Sequence, residues 1–173
     1  MPPCVILISG PPAAGKSTLA RALAERDPLS IVIPVDAVRE WVVGGLLMPF
    51  PEWTEATAEQ YCLGEDAAAD VARRYFGQGF TVYLDHCRLP HNIDQWVERS
   101  LGGLPVRKVA LVPPLEVNLE RNRSRTNKAF EPRLLDPIVT EVHEAYRAAD
   151  LRDWLVLRGN EPTKALVEEV QHL

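Results

Sequence analysis

The stretch from Gly10 to Thr18 has the residue types and the spacing of a phosphate-binding loop. Gly10 and Gly15 enclose four residues and are followed directly by Lys16 and Ser17. In such a loop, successive backbone N–H groups surround a phosphate, and the N-terminus of the next helix adds positive potential. The lysine reaches the outer phosphates of a nucleotide, and the serine hydroxyl binds Mg²⁺. The spacing therefore predicts a P-loop for ATP and Mg²⁺ made of Gly10, Pro11, Pro12, Ala13, Ala14, Gly15, Lys16, Ser17 and Thr18.

Two aspartates follow apolar runs and are candidates for the chemistry next to this loop. Asp36 closes the run 30–35, and Asp85 closes the run that begins at Phe80. In an open parallel sheet, the carboxyl ends of the strands converge on the ligand crevice. A carboxylate there could hold Mg²⁺ or accept the proton of an attacking hydroxyl. We expect Asp36 to be a general base and Asp85 a metal ligand, with helix capping as the alternative for both.

Arginines supply the positive charge that phosphoryl transfer needs. Arg39 lies one helical turn beyond Asp36, where it could grip an acceptor or form a surface ion pair. A lid-like segment, 121–133, is rich in arginine, and arginines that close over a γ-phosphate stabilise its developing charge. A solvated basic helix end is the alternative for this segment. We take Arg121 and Arg125 as the catalytic candidates, among the basic residues Arg121, Arg123, Arg125, Lys128 and Arg133.

Aromatic residues mark a candidate acceptor loop over about 41–61. Trp41 precedes an irregular stretch that contains Phe50 and Trp53. These rings could form the wall of a site for a ring-containing substrate, or they could pin the loop to the core. His86 and His91 flank the end of the third predicted strand. Either could act as a general base, but a role in packing or in a polar rim is favoured for both.

The elements around these residues alternate between strand and helix, which indicates an α/β fold with a mainly parallel sheet. The predicted strands are 4–9, 30–35, 80–85, 106–112 and 154–157. The predicted helices are 15–26, 37–43, 54–76 (capped by Thr54 or Thr57), 91–101, one from Pro114 into the arginine-rich segment, 134–149 and 163–172. This arrangement predicts a doubly wound, five-stranded parallel sheet with helices on both faces and the ligand at the strand C-termini. Trp96 and Trp154 are expected in its core.

The bulk composition is that of a single globular domain over 1–173. The net charge of −5, without a basic block, disfavours nucleic acid as a partner but does not exclude it. The three cysteines have no metal-ligand spacing and are expected to be reduced thiols. We find no signal peptide and no apolar stretch long enough to span a membrane, and we expect a cytoplasmic protein.

These motifs together resemble the small P-loop kinases. The resemblance rests on Gly10 to Thr18, on Asp36-x-x-Arg39, on the strand that ends at Asp85 and on Arg121-Asn-Arg-x-Arg. It is strongest to the AAA-like branch of zeta toxins, polynucleotide 5′-kinases and chloramphenicol phosphotransferases. It implies a three-layer fold like that of the nucleoside monophosphate kinases. It also implies that Asp36 is the general base, that Arg39 holds the acceptor, and that Arg121 and Arg125 bind the donor phosphates.

We therefore expect an ATP- and Mg²⁺-dependent kinase that transfers the γ-phosphate to a hydroxyl of a small molecule. The alternatives are a polynucleotide 5′-hydroxyl kinase and a P-loop ATPase or switch without an acceptor. Val35 stands before Asp36 and His86 follows Asp85, where the polynucleotide kinases have other residues. The acceptor, the choice between ATP and GTP, and the oligomeric state stay open.

Overall fold

All five strands of the computed structural model, which describes residues 2–50, 52–126 and 131–172, lie in one parallel sheet. The strand order is β2-β3-β1-β4-β5, so β1 is central and Val5 pairs with both Val82 and Val106. The predicted five-stranded parallel sheet is confirmed. Its strands are β1 (Val5–Ser9), β2 (Ser30–Pro34), β3 (Thr81–His86), β4 (Val106–Leu111) and β5 (Trp154–Leu157).

Helices connect these strands and cover both faces of the sheet. They are α1 (Lys16–Ala24), α2 (Val35–Arg39), α3 (Glu55–Phe76), α4 (Pro90–Ser100), α5 (Leu115–Arg123), α6 (Asp136–Ala148) and α7 (Thr163–Gln171). A short 3₁₀ helix, Pro132–Leu135, precedes α6. Of the two predicted caps of α3, Thr54 is the N-cap, and its side chain accepts a hydrogen bond from the backbone N–H of Thr57.

The alternation of β1 shows how the three layers are built. Val5 and Leu7 point into one core cluster, whereas Ile6 and Ile8 point into the other. The first cluster packs against α3, α4 and α6, and it contains both predicted core tryptophans, Trp96 and Trp154. The second packs against α1 and α7. A strand that is buried on both faces must be apolar at every position, which explains the unbroken run before the P-loop.

The segment after β2 differs from the prediction. The sequence predicts a strand that runs to Val35 and a helix over 37–43, with helix capping as the alternative role of Asp36, and the structure shows other bounds and no such cap. The helix begins at Val35, ends at Arg39 and has Pro34 at its N-cap, so Asp36 lies inside the first turn. Proline has no N–H for the ladder, which ends the strand one residue early.

Two parts of the predicted site fall outside the described residues. They are 127–130 of the lid-like segment, which includes the candidate Lys128, and Pro51 of the acceptor loop. Within the described ranges, no helix is both long and apolar enough to cross a membrane.

Candidate active site

The P-loop connects β1 to α1 in a conformation that depends on its glycines. Gly10 has φ +148°, and a Cβ there would lie 2.2 Å from the carbonyl oxygen of Leu111 on β4. Gly15 has φ +103° and forms the N-cap of α1. Positive φ values of this kind are strained for residues with a Cβ. The two glycines therefore allow the loop to lie against the sheet and to open onto the N-terminus of α1.

The lysine and serine of the loop lie where the motif requires them. The Nζ atom of Lys16 donates to the carbonyl oxygen of Pro11, 2.9 Å away, so the side chain folds across its own loop. The Ser17 hydroxyl donates to Oδ2 of Asp85, which is 7% exposed. A hydroxyl and a carboxylate oxygen side by side are the oxygen ligands that Mg²⁺ prefers. The structure thus brings together Ser17 and Asp85, the two predicted metal-binding residues, and their chemistry fits the ion.

Asp36 opens onto the same cleft from the other side. This cleft has a volume of about 1230 Å³, and Lys16, Ser17, Asp36 and Asp85 all line it. The Asp36 side chain is half exposed, and its Oδ1 lies 3.7 Å from Nδ1 of His86. Burial opposes ionisation of Asp36, but the attraction of His86 outweighs it and holds the pKa of Asp36 below its ordinary value. Asp36 is therefore a carboxylate at neutral pH.

A buried carboxylate, Glu65 on α3, is the centre of a charge network that the sequence analysis missed. Its side chain is 1% exposed. Its oxygens lie 3.0 Å from Nε2 of His86, 2.9 Å from Nε of Arg88 and 3.3 Å from Nη2 of Arg99. Burial raises the pKa of Glu65, but these cationic partners more than offset it and lower the pKa overall.

His86 connects Glu65 to Asp36. Its side chain is 1% exposed, and its ring meets that of Trp96 edge-on at 5.4 Å. Burial alone would lower the pKa of His86, but the carboxylates of Asp36 and Glu65 raise it above its ordinary value. The favoured packing role is thus observed, and the same ring also faces the predicted base. His91 does not line the cleft.

One pattern in the sequence could have located Glu65. Counting along α3, Tyr61 lies four residues before it, while Ala68, Ala69 and Ala72 follow three, four and seven residues later. All of these positions share one helix face, and all are buried. A carboxylate in the middle of a buried face requires cationic partners.

Arg39 is buried rather than part of a surface ion pair. It is 7% exposed, and its Nη1 donates to the carbonyl oxygen of Leu47, 2.8 Å away. Its guanidinium lies 4.5 Å from the centre of the Tyr61 ring. No carboxylate of the described residues comes within 4.0 Å of it. The close packing of α2 on α3 that buries Arg39 depends on Gly64, where a Cβ would lie 3.2 Å from Cβ of Arg39.

The aromatic side chains of the acceptor loop divide between cleft and solvent. Phe50 and Trp53 line the cleft, and the Trp53 ring packs 4.8 Å from that of Tyr61. Trp41 is 71% exposed and does not line it. The structure therefore places two of the three predicted rings beside the site.

The candidate lid arginines lie on the nucleotide side of the cleft. Arg121 on α5 donates from Nη1 to the carbonyl oxygens of Ala14, at 3.3 Å, and Gly159, at 2.9 Å. Arg125 lines the same cleft, whereas Arg123 bonds to Asp136 at the surface. Arg121 thus ties the P-loop to the turn after β5. Because residues 127–130 are not described, the closing of a lid stays a prediction.

Comparison with known proteins identifies the family. Residues 5–149 match the family model of an AAA domain, which is well over half of the chain. The chain belongs to this AAA domain family. A UPF0200 protein of Aeropyrum pernix is 29% identical over 119 residues, which span 68% of this chain and 62% of that relative.

Solved structures confirm the fold of the small P-loop kinases. A sugar kinase of Janibacter sp. HTCC2649 superposes with a TM-score of 0.71 and 18% identity, covering 99% of this chain and 94% of that one. A tunicamycin resistance protein of Deinococcus radiodurans superposes with a TM-score of 0.68 and 20% identity, covering 98% of this chain and 94% of that one. A shikimate kinase of Acinetobacter baumannii, in complex with shikimate, superposes with a TM-score of 0.62 and 16% identity, covering 98% of this chain and 92% of that one. The resemblance noted from the motifs therefore holds for family and fold.

Proposed function

We propose that this protein is an ATP- and Mg²⁺-dependent kinase that phosphorylates a hydroxyl group of a small molecule. One observation carries the proposal: the carboxylate of Asp36 and the phosphate-binding loop with Lys16 face the same cleft. A kinase site needs an acceptor base opposite a donor phosphate. The cleft, of about 1230 Å³, exceeds the usual size of a single ligand pocket, so it has room for a nucleotide and a small acceptor.

The donor half of the reaction uses the P-loop. On nucleotide binding, Lys16 leaves the Pro11 carbonyl and bonds to the outer phosphates, while the loop N–H groups surround them. Ser17 and Asp85 would hold Mg²⁺, which supplies positive charge to the leaving phosphates. Arg125 lines the cleft and Arg121 is anchored to the P-loop, so both can stabilise the charge that develops on the γ-phosphate.

The acceptor half uses Asp36. As the acceptor oxygen bonds to the γ-phosphorus, the bond from that phosphorus to the bridging oxygen of ADP breaks, and the hydroxyl proton passes to Asp36. The lowered pKa of Asp36 keeps it ionised at neutral pH, ready to accept this proton. His86, held by Glu65, lies 3.7 Å from this carboxylate and favours its charged form.

The test is phosphate transfer from ATP, measured with and without a panel of hydroxyl compounds. Lys16→Ala should abolish turnover. Asp36→Asn should lower kcat by about 10²–10⁴-fold, the usual contribution of a general base, and leave ATP affinity unchanged. Glu40→Gln is the matched control, because Glu40 is an exposed acid that lines the same cleft, and it should keep near-normal kcat.

Four results would contradict parts of the proposal. Normal transfer by Asp36→Asn would remove the base. If Asp36→Asn lost nucleotide affinity by the same factor as kcat, Asp36 would be a metal ligand instead of the base. ATP hydrolysis that no hydroxyl compound stimulates would favour the ATPase or switch that the sequence left open. Stimulation by 5′-hydroxyl oligonucleotides alone would favour the polynucleotide kinase, which the net charge of −5 disfavours.

A further inference from the structure

We infer that the acceptor carries an oxyanion group, a carboxylate or a phosphate, which binds to the guanidinium of Arg88 beside Tyr61 and Trp53. This inference rests on the proposed kinase function and names the chemical class of its substrate. Arg88 follows β3 and lines the same cleft as Asp36.

Arg88 is held in one orientation before any ligand binds. Its side chain is 12% exposed, and its Nε donates to Oε1 of the buried Glu65 at 2.9 Å. Its guanidinium lies 5.1 Å from the centre of the Tyr61 ring and 5.4 Å from that of Trp53. Cation–π contacts at such distances stabilise a guanidinium plane. A group fixed in this way binds its ligand without the usual loss of side-chain entropy.

Within the described ranges, Arg88 keeps donor capacity beyond its bond to Glu65. Its Nη1 and Nη2 atoms make no hydrogen bond with any residue in the described ranges. These two nitrogens form a planar fork that matches the two oxygens of a carboxylate or a phosphate. A neutral hydroxyl compound would satisfy at most part of this donor capacity.

A second guanidinium beside the Tyr61 ring adds to the positive charge on this side of the cleft. Arg39 approaches this ring as well, at 4.5 Å; it is 7% exposed, and no carboxylate of the described residues lies within 4.0 Å of it. Its buried Nε has no hydrogen-bond partner among the residues that the structure describes. Glu65 is shared by Arg88, His86 and Arg99, although His86 also faces Asp36 and Arg99 also bonds to Asp66. Since an unpaired buried cation is costly, an anionic ligand would stabilise this arrangement.

The experiment compares anionic and neutral compounds with the same skeleton. Gluconate is paired with glucitol, and glycerol 3-phosphate with glycerol. Binding is measured by calorimetry on the full chain, with and without Mg²⁺ and a non-hydrolysable ATP analogue. We expect at least one anionic member to bind ten times more tightly than its neutral partner, and the pair that shows this identifies the oxyanion.

Variants assign the effect to Arg88. Arg88→Gln should remove the preference, with an affinity loss of about 10–100-fold for the anionic probe, as for a lost charged hydrogen-bond pair. Arg88→Lys keeps the charge but loses the planar fork, so its affinity for the anionic probe should lie between those of the parent chain and Arg88→Gln. Arg99→Gln is the matched control: it also loses a bond to Glu65, but Arg99 does not line the cleft, so it should keep the preference.

Every other outcome overturns the inference. In one, the neutral members bind as tightly as the anionic ones. In another, Arg88→Gln and Arg99→Gln lose affinity for the anionic probe equally. In the third, neither anionic probe binds up to about 20 mM, which is weaker than most specific sites. Failure of the ATP analogue to bind would contradict the proposed function instead. The titrations without nucleotide keep these two failures separate.

Discussion

Replacing Glu65 by glutamine tests the buried network behind the acceptor side. The change keeps the size of the side chain and removes its charge, which leaves His86, Arg88 and Arg99 facing a neutral amide. Glu65 is 1% exposed and bonds to all three at 2.9–3.3 Å. Removing one member of a buried ion pair costs about 3–5 kcal/mol. At about 2–4 °C per kcal/mol for a chain of this size, the melting temperature should fall by about 6–20 °C.

The assay is thermal unfolding, and urea unfolding for the free energy, both followed by circular dichroism, with Asp66→Asn as the matched control. Asp66 is the next residue on α3 and bonds to Arg99 and Ser100, but its side chain is 52% exposed. An exposed pair contributes at most about 1 kcal/mol, so this variant should lose little stability. Equal losses in Glu65→Gln and Asp66→Asn would refute the reasoning, because burial would then make no difference.

The same network predicts how stability depends on pH. The folded-state pKa of Glu65 lies below its ordinary value of about 4.5, so its contribution is present above that pH. The contribution is lost as the pH falls through the lowered pKa, because protonation then favours the unfolded chain. The free energy of unfolding of Glu65→Gln should therefore depend less steeply on pH below about 4.5 than that of the parent chain. If the free energies of unfolding of the two proteins changed with pH in parallel, the pH dependence would not come from Glu65.

Four further substitutions, one of them a control, test other parts of the fold and site. Gly10→Ala should destabilise the chain and weaken nucleotide binding in calorimetry, because its Cβ would meet the Leu111 carbonyl at 2.2 Å. Gly44→Ala, with nothing within 4 Å of the added Cβ, should change neither by a measurable amount. Trp96→Ala should cost about 3–5 kcal/mol of unfolding free energy in urea titrations, since this ring is fully buried. Ser17→Ala should raise the Mg²⁺ concentration needed for half-maximal turnover, and an unchanged requirement would contradict its metal role.

The sheet and the P-loop could be predicted because their signals are local. The apolar run before Gly10 and the spacing from Gly10 to Ser17 each occupy a few consecutive residues, and β5 was predicted at its observed residues, Trp154–Leu157. The meeting of Ser17 and Asp85 also follows from topology. β1 and β3 are neighbours in the sheet, so their carboxyl ends lie together.

The acceptor side could not be predicted in the same way, because its contacts join four segments of the chain. The place of Glu65 on the apolar face of α3 indicates burial, but its partners His86 and Arg88 lie on another segment and cannot be read from that pattern. The burial of Arg39 depends on the close approach that Gly64 permits. Arg88 had no motif of its own, since its role depends on the distant residues Glu65, Tyr61 and Trp53.

One buried carboxylate positions groups with two different tasks. Glu65 bonds to His86, which faces the predicted base Asp36, and to Arg88, which faces the proposed anion site. Because Glu65 holds both groups, the separation between Arg88 and the His86 ring that faces Asp36 is set by one side chain in the middle of α3. A rigid separation selects acceptors whose hydroxyl and oxyanion are a matching distance apart. Substrate choice in this protein should therefore depend on this spacing as much as on the charge of the acceptor.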